Sequence, residues 1–317
     1  MPDHRLSLES IVRAATTIDP VFRNSPQFSC EPLSAALGCD LTLKVEVLNP
    51  IRSFKGRGAW HFVASLPTGA RLVCASAGNF GQALGYACRA RGIPITIYAA
   101  HSANPLKIER MRALGATVVL DGEDFDAAKL AAKAFAAAGG GQMVEDGLEP
   151  LISEGAGTIG LELLQHQQHY DALLIPLGNG ALFNGVARWV KAHSPQTRII
   201  AVSAAGAPAM VESWRAGRVI SHASISTIAD GIGVRAPIAE AVADMHGLCD
   251  DALLVDDDTI IAAMQLVFAY LGLVLEPSGA AGVAAVLANP ARFADHRVAT
   301  ILCGGNLTAE QVRRWLV

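Results

Sequence analysis

The chain has 317 residues, enough for one large core or two smaller ones. Hydrophobic residues make up 51% and charged residues 17%, which excludes a disordered chain. The formal net charge of −4 implies no basic patch, so nucleic acid is not an expected partner.

Taken in chain order, the first ten residues, MPDHRLSLES, lack the charged-then-apolar layout of a secretory signal. NPIRSFKGRG (49–58) sets Lys55 between Phe54 and two glycines, an odd place for a solvated charge. RLVCAS (71–76) reads as a buried strand and FGQALGYACRARG (80–92) as a helix. ITIYAA (95–100) is a strand, PLKIERMRALG (105–115) a helix, TVVLDG (117–122) a strand. DFDAAKLAAKAFAAAGGG (124–141) is an alanine-rich helix stopped by glycines. The rhythm returns with strands at 171–178, 198–206 and 297–305, each followed by a helical pattern: 181–193, 207–217 and 307–317. Strand–helix alternation with nearly continuous Val/Ile/Leu runs implies an α/β fold with parallel sheets covered by helices. The units at about 70–125 and at about 171–303 form separate clusters, which suggests two domains with a ligand cleft between them.

The most apolar stretch, Ile260 to Leu275, is shorter than the roughly 20 residues of a membrane helix and contains Gln265. With Asp256, Asp257 and Asp258 in front as N-cap residues it reads as a core helix, and no membrane partner is expected. The six cysteines, Cys30, Cys39, Cys74, Cys88, Cys249 and Cys303, form no C-x-x-C pair and read as buried small hydrophobes of a reducing cytosol.

Three strand ends carry small-residue clusters: SAGNFGQ (76–82), LGNGALFNG (177–185) and CGGNL (303–307). Open α/β sheets bind ligands beyond the carboxyl ends of their strands. In LGNGAL, Gly178 and Gly180 let amides turn toward an anion at a helix N-terminus, a phosphate-cradle pattern. It is neither the dinucleotide nor the ATP motif, and alone it reads equally well as a tight turn. Ser76, Gly78 and Asn79 could hold a carboxylate, or Ser76 and Asn79 could simply cap the helix. His166 and His169 read as a solvated helix face rather than a metal pair, and DDALLVDDD as cap carboxylates without calcium-loop spacing. No glycosidase carboxylate pair and no G-x-S-x-G stand out.

In this order, a lysine, then S-A-G-N, then a glycine-rich loop, then G-G-N, the chain resembles the fold-type II pyridoxal-phosphate enzymes, in the branch of serine/threonine dehydratases and serine racemases. LNPIRSFKGRGA (48–59), ASAGNFGQAL (75–84), EGAGTIGLELL (154–164), TIADGIGV (227–234) and LEPSGAAGVAA (275–285) are similar to family segments in sequence order, as is MRALGATVVLDGEDFDAA (111–128). The resemblance covers the chain from about residue 15. It implies a tryptophan synthase β-like fold of two domains with pyridoxal 5'-phosphate in the cleft. Residues 1–67 and 149–317 would form the large cofactor-binding domain and 68–148 the small mobile one.

The resemblance also implies roles. Lys55 would carry the cofactor as a Schiff base and then act as base on the substrate Cα proton, which requires a partly neutral amine. Arg57 would be a structural ion-pair residue. Ser76, Gly78 and Asn79 would bind the substrate carboxylate, flanked by Ala77 and Phe80, with Asn79 also facing the cofactor's 3-hydroxyl. Gly178, Asn179, Gly180, Ala181 and Leu182 would hold the phosphate, Phe54 would pack near the ring, and Glu276 would support the site edge. Cys303 stands where the family has a serine facing the pyridine nitrogen; a thiol is a weak hydrogen-bond partner and leaves that nitrogen unprotonated. A neutral pyridine suits prompt loss of a β-leaving group. The implied reaction converts a β-hydroxy amino acid such as L-threonine or L-serine to a 2-oxo acid and ammonia.

Departures bear on the substrate. Phe80 replaces the histidine of many dehydratases, and Asn179 and Ala181 interrupt the usual glycine run, so phenylserine or hydroxyaspartate are alternatives. Ser203 replaces the glutamate of metal-dependent relatives, so no metal is expected. Ala77 replaces the serine that gives racemases a second base, which favours elimination over serine racemisation. The chain ends at Val317 without an expected regulatory domain. β-Replacement and a non-enzymatic amino-acid sensor are further rivals. A cytoplasmic homodimer paired through the large domain is expected.

Overall fold

The computed structural model describes residues 4–167 and 169–317. Two sheets organise it. The strands are β1 (Gln27–Ser29), β2 (Asp40–Val45), β3 (Leu72–Ala75), β4 (Ile95–Ala99), β5 (Thr117–Leu120), β6 (Gln142–Met143), β7 (Ala172–Pro176), β8 (Arg198–Ala204), β9 (Asp251–Val255) and β10 (Arg297–Leu302). The larger sheet runs β1-β2-β10-β7-β8-β9, parallel except for the antiparallel edge strand β1. The smaller runs β5-β4-β3-β6, all parallel.

The continuous apolar strands are explained by burial on both faces. In β7, Ala172 and Leu174 pack into one core with the helices Asp257–Leu271 and Pro277–Ala288. Leu173 and Ile175, pointing the opposite way, join the core of the helices Pro150–His166 and Ala181–His193. The smaller sheet has its own core, in which Leu72, Cys74 and Ile97 meet Phe62, Leu84 and Met111.

The helix expected from Ile260 begins at Asp257, where Asp256 accepts from the Thr259 amide, and ends at Gly272 in the left-handed region (φ 65°). No helix among the described residues is long and apolar enough to cross a membrane. Several expectations are corrected. The 124–141 helix stops at Phe135 and gives way to a wide turn over Ala136–Gly140, because Gly139 takes φ 88°. DALLV within DDALLVDDD is the edge strand β9, and of its acidic residues Asp256 is the cap. His169 lies beyond the helix that ends at His166 and pairs with Asp171, so the two histidines share no helix face. The cysteines are free thiols, but Cys30 and Cys249 are only half-buried.

Candidate active site

The three small-residue clusters converge, since Ser76 follows β3, Leu177 follows β7 and Cys303 follows β10. They open on one cavity of about 650 Å³ between the two sheets. Every residue the resemblance singles out for the site lines it: Phe54, Lys55, Ser76 through Phe80, Gly178 through Leu182, Glu276 and Cys303.

Lys55 is the first residue of the helix Lys55–Ala64. The bond from the Phe54 amide to the Cys303 carbonyl (3.1 Å) and the bridge between Ser53 and Gly304 hold this helix start against the end of β10. Its Nζ sits 4.7 Å from the Phe54 ring centroid and 6.0 Å from that of Phe80. Its charged partner is Asp146, whose Oδ2 lies 2.5 Å away. Arg57, two residues on, is fully buried on other partners: Glu46, Glu162, Thr158 and Ser25. It is an ion-pair residue of the scaffold.

Two of the helix N-termini that line the cavity are built on glycine N-caps. At Asn79–Arg91, Ser76 Oγ accepts from the Gly78 and Gly81 amides (3.2 and 3.0 Å), so Ser76 shapes the loop as well as lining the site. At Ala181–His193 the N-cap is Gly180 at φ 94°, a conformation strained for any residue with a Cβ, and no side chain caps the end. First-turn amides have no intrahelical partner and carry the positive end of the dipole, so this end suits an anion. Ser203, under this loop, spends its hydroxyl on the Leu177 carbonyl (2.7 Å).

Glu276 lines the cavity from a buried position. It is buried (3% exposed), accepts from Asn79 Nδ2 at 2.6 Å and from the Asn306 amide at 3.2 Å. Burial, reinforced by Asp230 and opposed by Lys107, raises its pKa from 4.5 to about 7. In the cofactor-free protein the unfolded chain therefore gives up this proton first. Stability is expected to fall as pH rises from 4.5 through about 7, at about 1.4 kcal/mol per tenfold change in proton affinity. Glu276→Gln should flatten that part of the curve. Unfolding midpoints in denaturant across this range read the effect, and an unchanged slope in the variant contradicts it. Cys303 is buried, its Sγ 3.5 Å from the Ser278 carbonyl, and burial pushes its thiol pKa up, so it faces the cavity as a neutral thiol.

The residues that sequence reasoning missed are Asp146, Ser278 and Asn306. Ser278 Oγ and Asp146 Oδ1 are buried at the cavity wall without a hydrogen-bond partner among the described residues. Asn306 Nδ2 donates to Asn79 Oδ1 and to the Ile51 carbonyl, both at 2.8 Å, and so orients Asn79. Within CGGNL, the asparagine after two glycines was the available signal for Asn306. Ser278 lay inside LEPSGAAGVAA without being singled out, and Asp146 lay outside any motif.

An amine, two helix N-termini without side-chain caps and unsatisfied polar atoms line one cavity. The chain belongs to the pyridoxal-phosphate dependent enzyme family, whose model matches residues 18–304. It is 33% identical over 312 residues to an L-threonine ammonia-lyase of Thermotoga maritima, covering 98% of this chain and 78% of the relative. It is 30% identical to a serine racemase of Oryza sativa subsp. indica, covering 95% of this chain and 91% of that one. Among solved structures, the processed form of threonine deaminase isoform 2 from Solanum lycopersicum superposes with a TM-score of 0.89 at 30% identity. That match covers 97% of this chain and 88% of the other. The fold is that of these neighbours, an α/β fold with two helix-covered parallel sheets, and the cofactor of the family is pyridoxal phosphate.

Proposed function

We propose that the chain is an ammonia-lyase that removes water from a β-hydroxy amino acid of the L-threonine or L-serine type, with release of a 2-oxo acid and ammonia. The observation that carries this reading is one cavity holding the Lys55 amine opposite the N-termini of Asn79–Arg91 and Ala181–His193. The cavity residues fit the cofactor: the uncapped turn Gly178–Leu182 suits its phosphate, and Ser278 Oγ and Cys303 offer weak neutral partners to its ring. Bound there, pyridoxal phosphate would supply the electron-withdrawing ring that makes the substrate Cα–H acidic.

Lys55 Nζ takes the Cα proton in this reading. Ser76 and the first-turn amides of Asn79–Arg91 hold the substrate carboxylate. Ala77 lines the cavity without an exchangeable proton, which favours elimination over racemisation. Phe54 and Phe80 present apolar faces to Nζ and exclude water around it. Residues 68–148 act as the smaller, closing unit against 1–67 and 149–317. The pairs Asn79–Glu276, Lys107–Asp230, Arg110–Asn306 and Asp126–Arg235 tie the two together.

Among the described residues, each lysine or arginine lining the cavity already has a carboxylate partner: Lys55 with Asp146, Lys107 with Asp230, Lys129 with Glu145, Arg235 with Asp126. A second substrate carboxylate would find no free cation. L-Threonine and L-serine are therefore expected to react at least about fivefold faster than hydroxyaspartate, since an unpaired buried charge costs more than about 1 kcal/mol. A 2-oxo acid assay over threonine, serine, phenylserine and hydroxyaspartate with cofactor-loaded protein tests this. Failure to release 2-oxo acid from any of the four would refute the elimination reading.

A further inference from the structure

Asp146 lies on the turn between β6 and the helix Pro150–His166. The turn is pinned on both sides. The Val144 amide donates to the Val73 carbonyl (2.8 Å), and the Arg5 guanidinium donates to the carbonyls of Leu148 (2.5 Å) and Gly147 (3.3 Å). Gly147 has φ 84°, and a Cβ there would stand 2.0 Å from the Asn179 carbonyl oxygen, so the turn runs directly against the phosphate-loop backbone. The carboxylate is thus placed by a fixed backbone. Oδ2 contacts Lys55 Nζ at 2.5 Å, with the two side chains only 14% and 11% exposed, and Oδ1 is buried with no partner among the described residues.

The other charged or titratable groups around Lys55 are already engaged. Glu145 takes Lys129 and Lys133. Glu276 takes Asn79 and the Asn306 amide. Asp230 takes Lys107, and Cys303 lies against the Ser278 carbonyl. Asp146 is the carboxylate that meets Lys55.

We propose that Asp146 is a positioning residue for Lys55: its carboxylate fixes the place of Nζ and stabilises the ammonium formed when Lys55 takes a proton. The second half rests on the elimination reading above; the first does not. In that step the Cα–H bond breaks, its electron pair stays on carbon, and the proton bonds to Nζ. Asp146 neither gains nor loses a proton and acts through its charge. An opposite charge in contact within a partly buried site favours the charged form of an amine. When Lys55 takes the Cα proton, the carboxylate in contact with Nζ offsets the charge that forms there.

The test compares the parent with Asp146→Asn, which keeps the shape and removes the charge. In cofactor-free protein, trinitrophenylation of Lys55 is followed by peptide mass spectrometry across pH. The variant is expected to label several-fold faster, because an Nζ no longer held in contact with a carboxylate is freer to reach the reagent. In loaded protein, exchange of the Cα hydrogen of L-alanine, which has no β-leaving group, is expected to slow about tenfold or more while L-alanine binding changes less than about twofold. Asp146→Glu should recover part of both effects. If Asp146→Asn does not fold, Asp146→Ser carries the same comparison. Superimposable labelling profiles overturn the proposal, and unchanged Cα exchange overturns its proton-transfer half. A parent that takes up no pyridoxal phosphate would sink the elimination reading and leave the labelling result to decide the positioning of Nζ.

Discussion

Lys55→Ala is expected to lose 2-oxo acid release from L-threonine and L-serine by about a thousandfold or more, the cost of deleting both the covalent anchor and the base. Lys55→Arg should be as inactive, although a guanidinium can keep the ion pair with Asp146, because it is never neutral and cannot accept the proton. The pair of variants separates charge from amine chemistry. Borohydride reduction of the loaded parent should fix the cofactor mass on the peptide containing Lys55, and neither variant should show it. Lys55→Ala also leaves Asp146 in its half-dry pocket without its cation, so a lower melting temperature accompanies the loss of activity while Lys55→Arg melts near the parent. Substantial activity in Lys55→Arg would refute the assignment of Lys55 as base.

The parts of this fold that were legible are those where burial writes a simple pattern. Strands β3, β4, β7, β8 and β10 read as apolar runs because both their faces are covered, as the opposite cores of Leu173 and Leu174 show. Strand β2, DLTLKV, was hidden because Thr42 and Lys44 are buried polar residues. Lys44 is 1% exposed and tolerated there by Glu162 at 2.6 Å, a tertiary contact that no local pattern encodes. Strand β6 is two residues long and β1 a partly exposed edge, so neither carries a period. The helix Pro277–Ala288 is nearly buried all round and built mostly of Ala, Gly and Val, so it has no polar face to betray it.

The site divides the same way. Gly178, Gly180, Gly78, Asn79 and Lys55 were legible because tight turns at strand ends demand unusual composition, and because their order matches a known family. Asp146 and Ser278 act through position alone, brought to the cavity by a turn and a helix start that ordinary residues could build. Glu276 was visible as a residue, but its hydrogen bonds from Asn79 and Asn306 are tertiary contacts that no local pattern encodes.

Arg57→Met is expected to destabilise the protein by about 4 kcal/mol, the cost of removing one partner from a buried ionic cluster. A fall in melting temperature of about 6 °C follows from the size of the chain. The guanidinium is fully buried and forks between Glu46, with Nε and Nη2 each at 2.8 Å, and Glu162, with Nη1 at 2.6 Å. Arg57→Lys should recover less than half of the loss, since one ammonium cannot reproduce two bidentate contacts. The double variant Arg57→Met/Glu46→Gln should lose less than the single one, because much of the cost is the stranded carboxylate. The cluster also has a pH signature. Burial alone would raise the Glu162 pKa, but Arg57 and Lys44 overcome it and hold it at about 2 against an ordinary 4.5. Its contribution is therefore complete above 4.5 and lost as pH falls toward about 2, and Arg57→Met should weaken that acid-side dependence. Denaturant midpoints for the three variants at neutral and acid pH decide the matter. Because Arg57 stands two residues after Lys55 and ties their helix to β2 and to Pro150–His166, its loss should also loosen the amine. A kcat that falls with little change in KM for L-threonine would show that the cluster serves the base as well as the fold; an unchanged kcat would confine it to the scaffold.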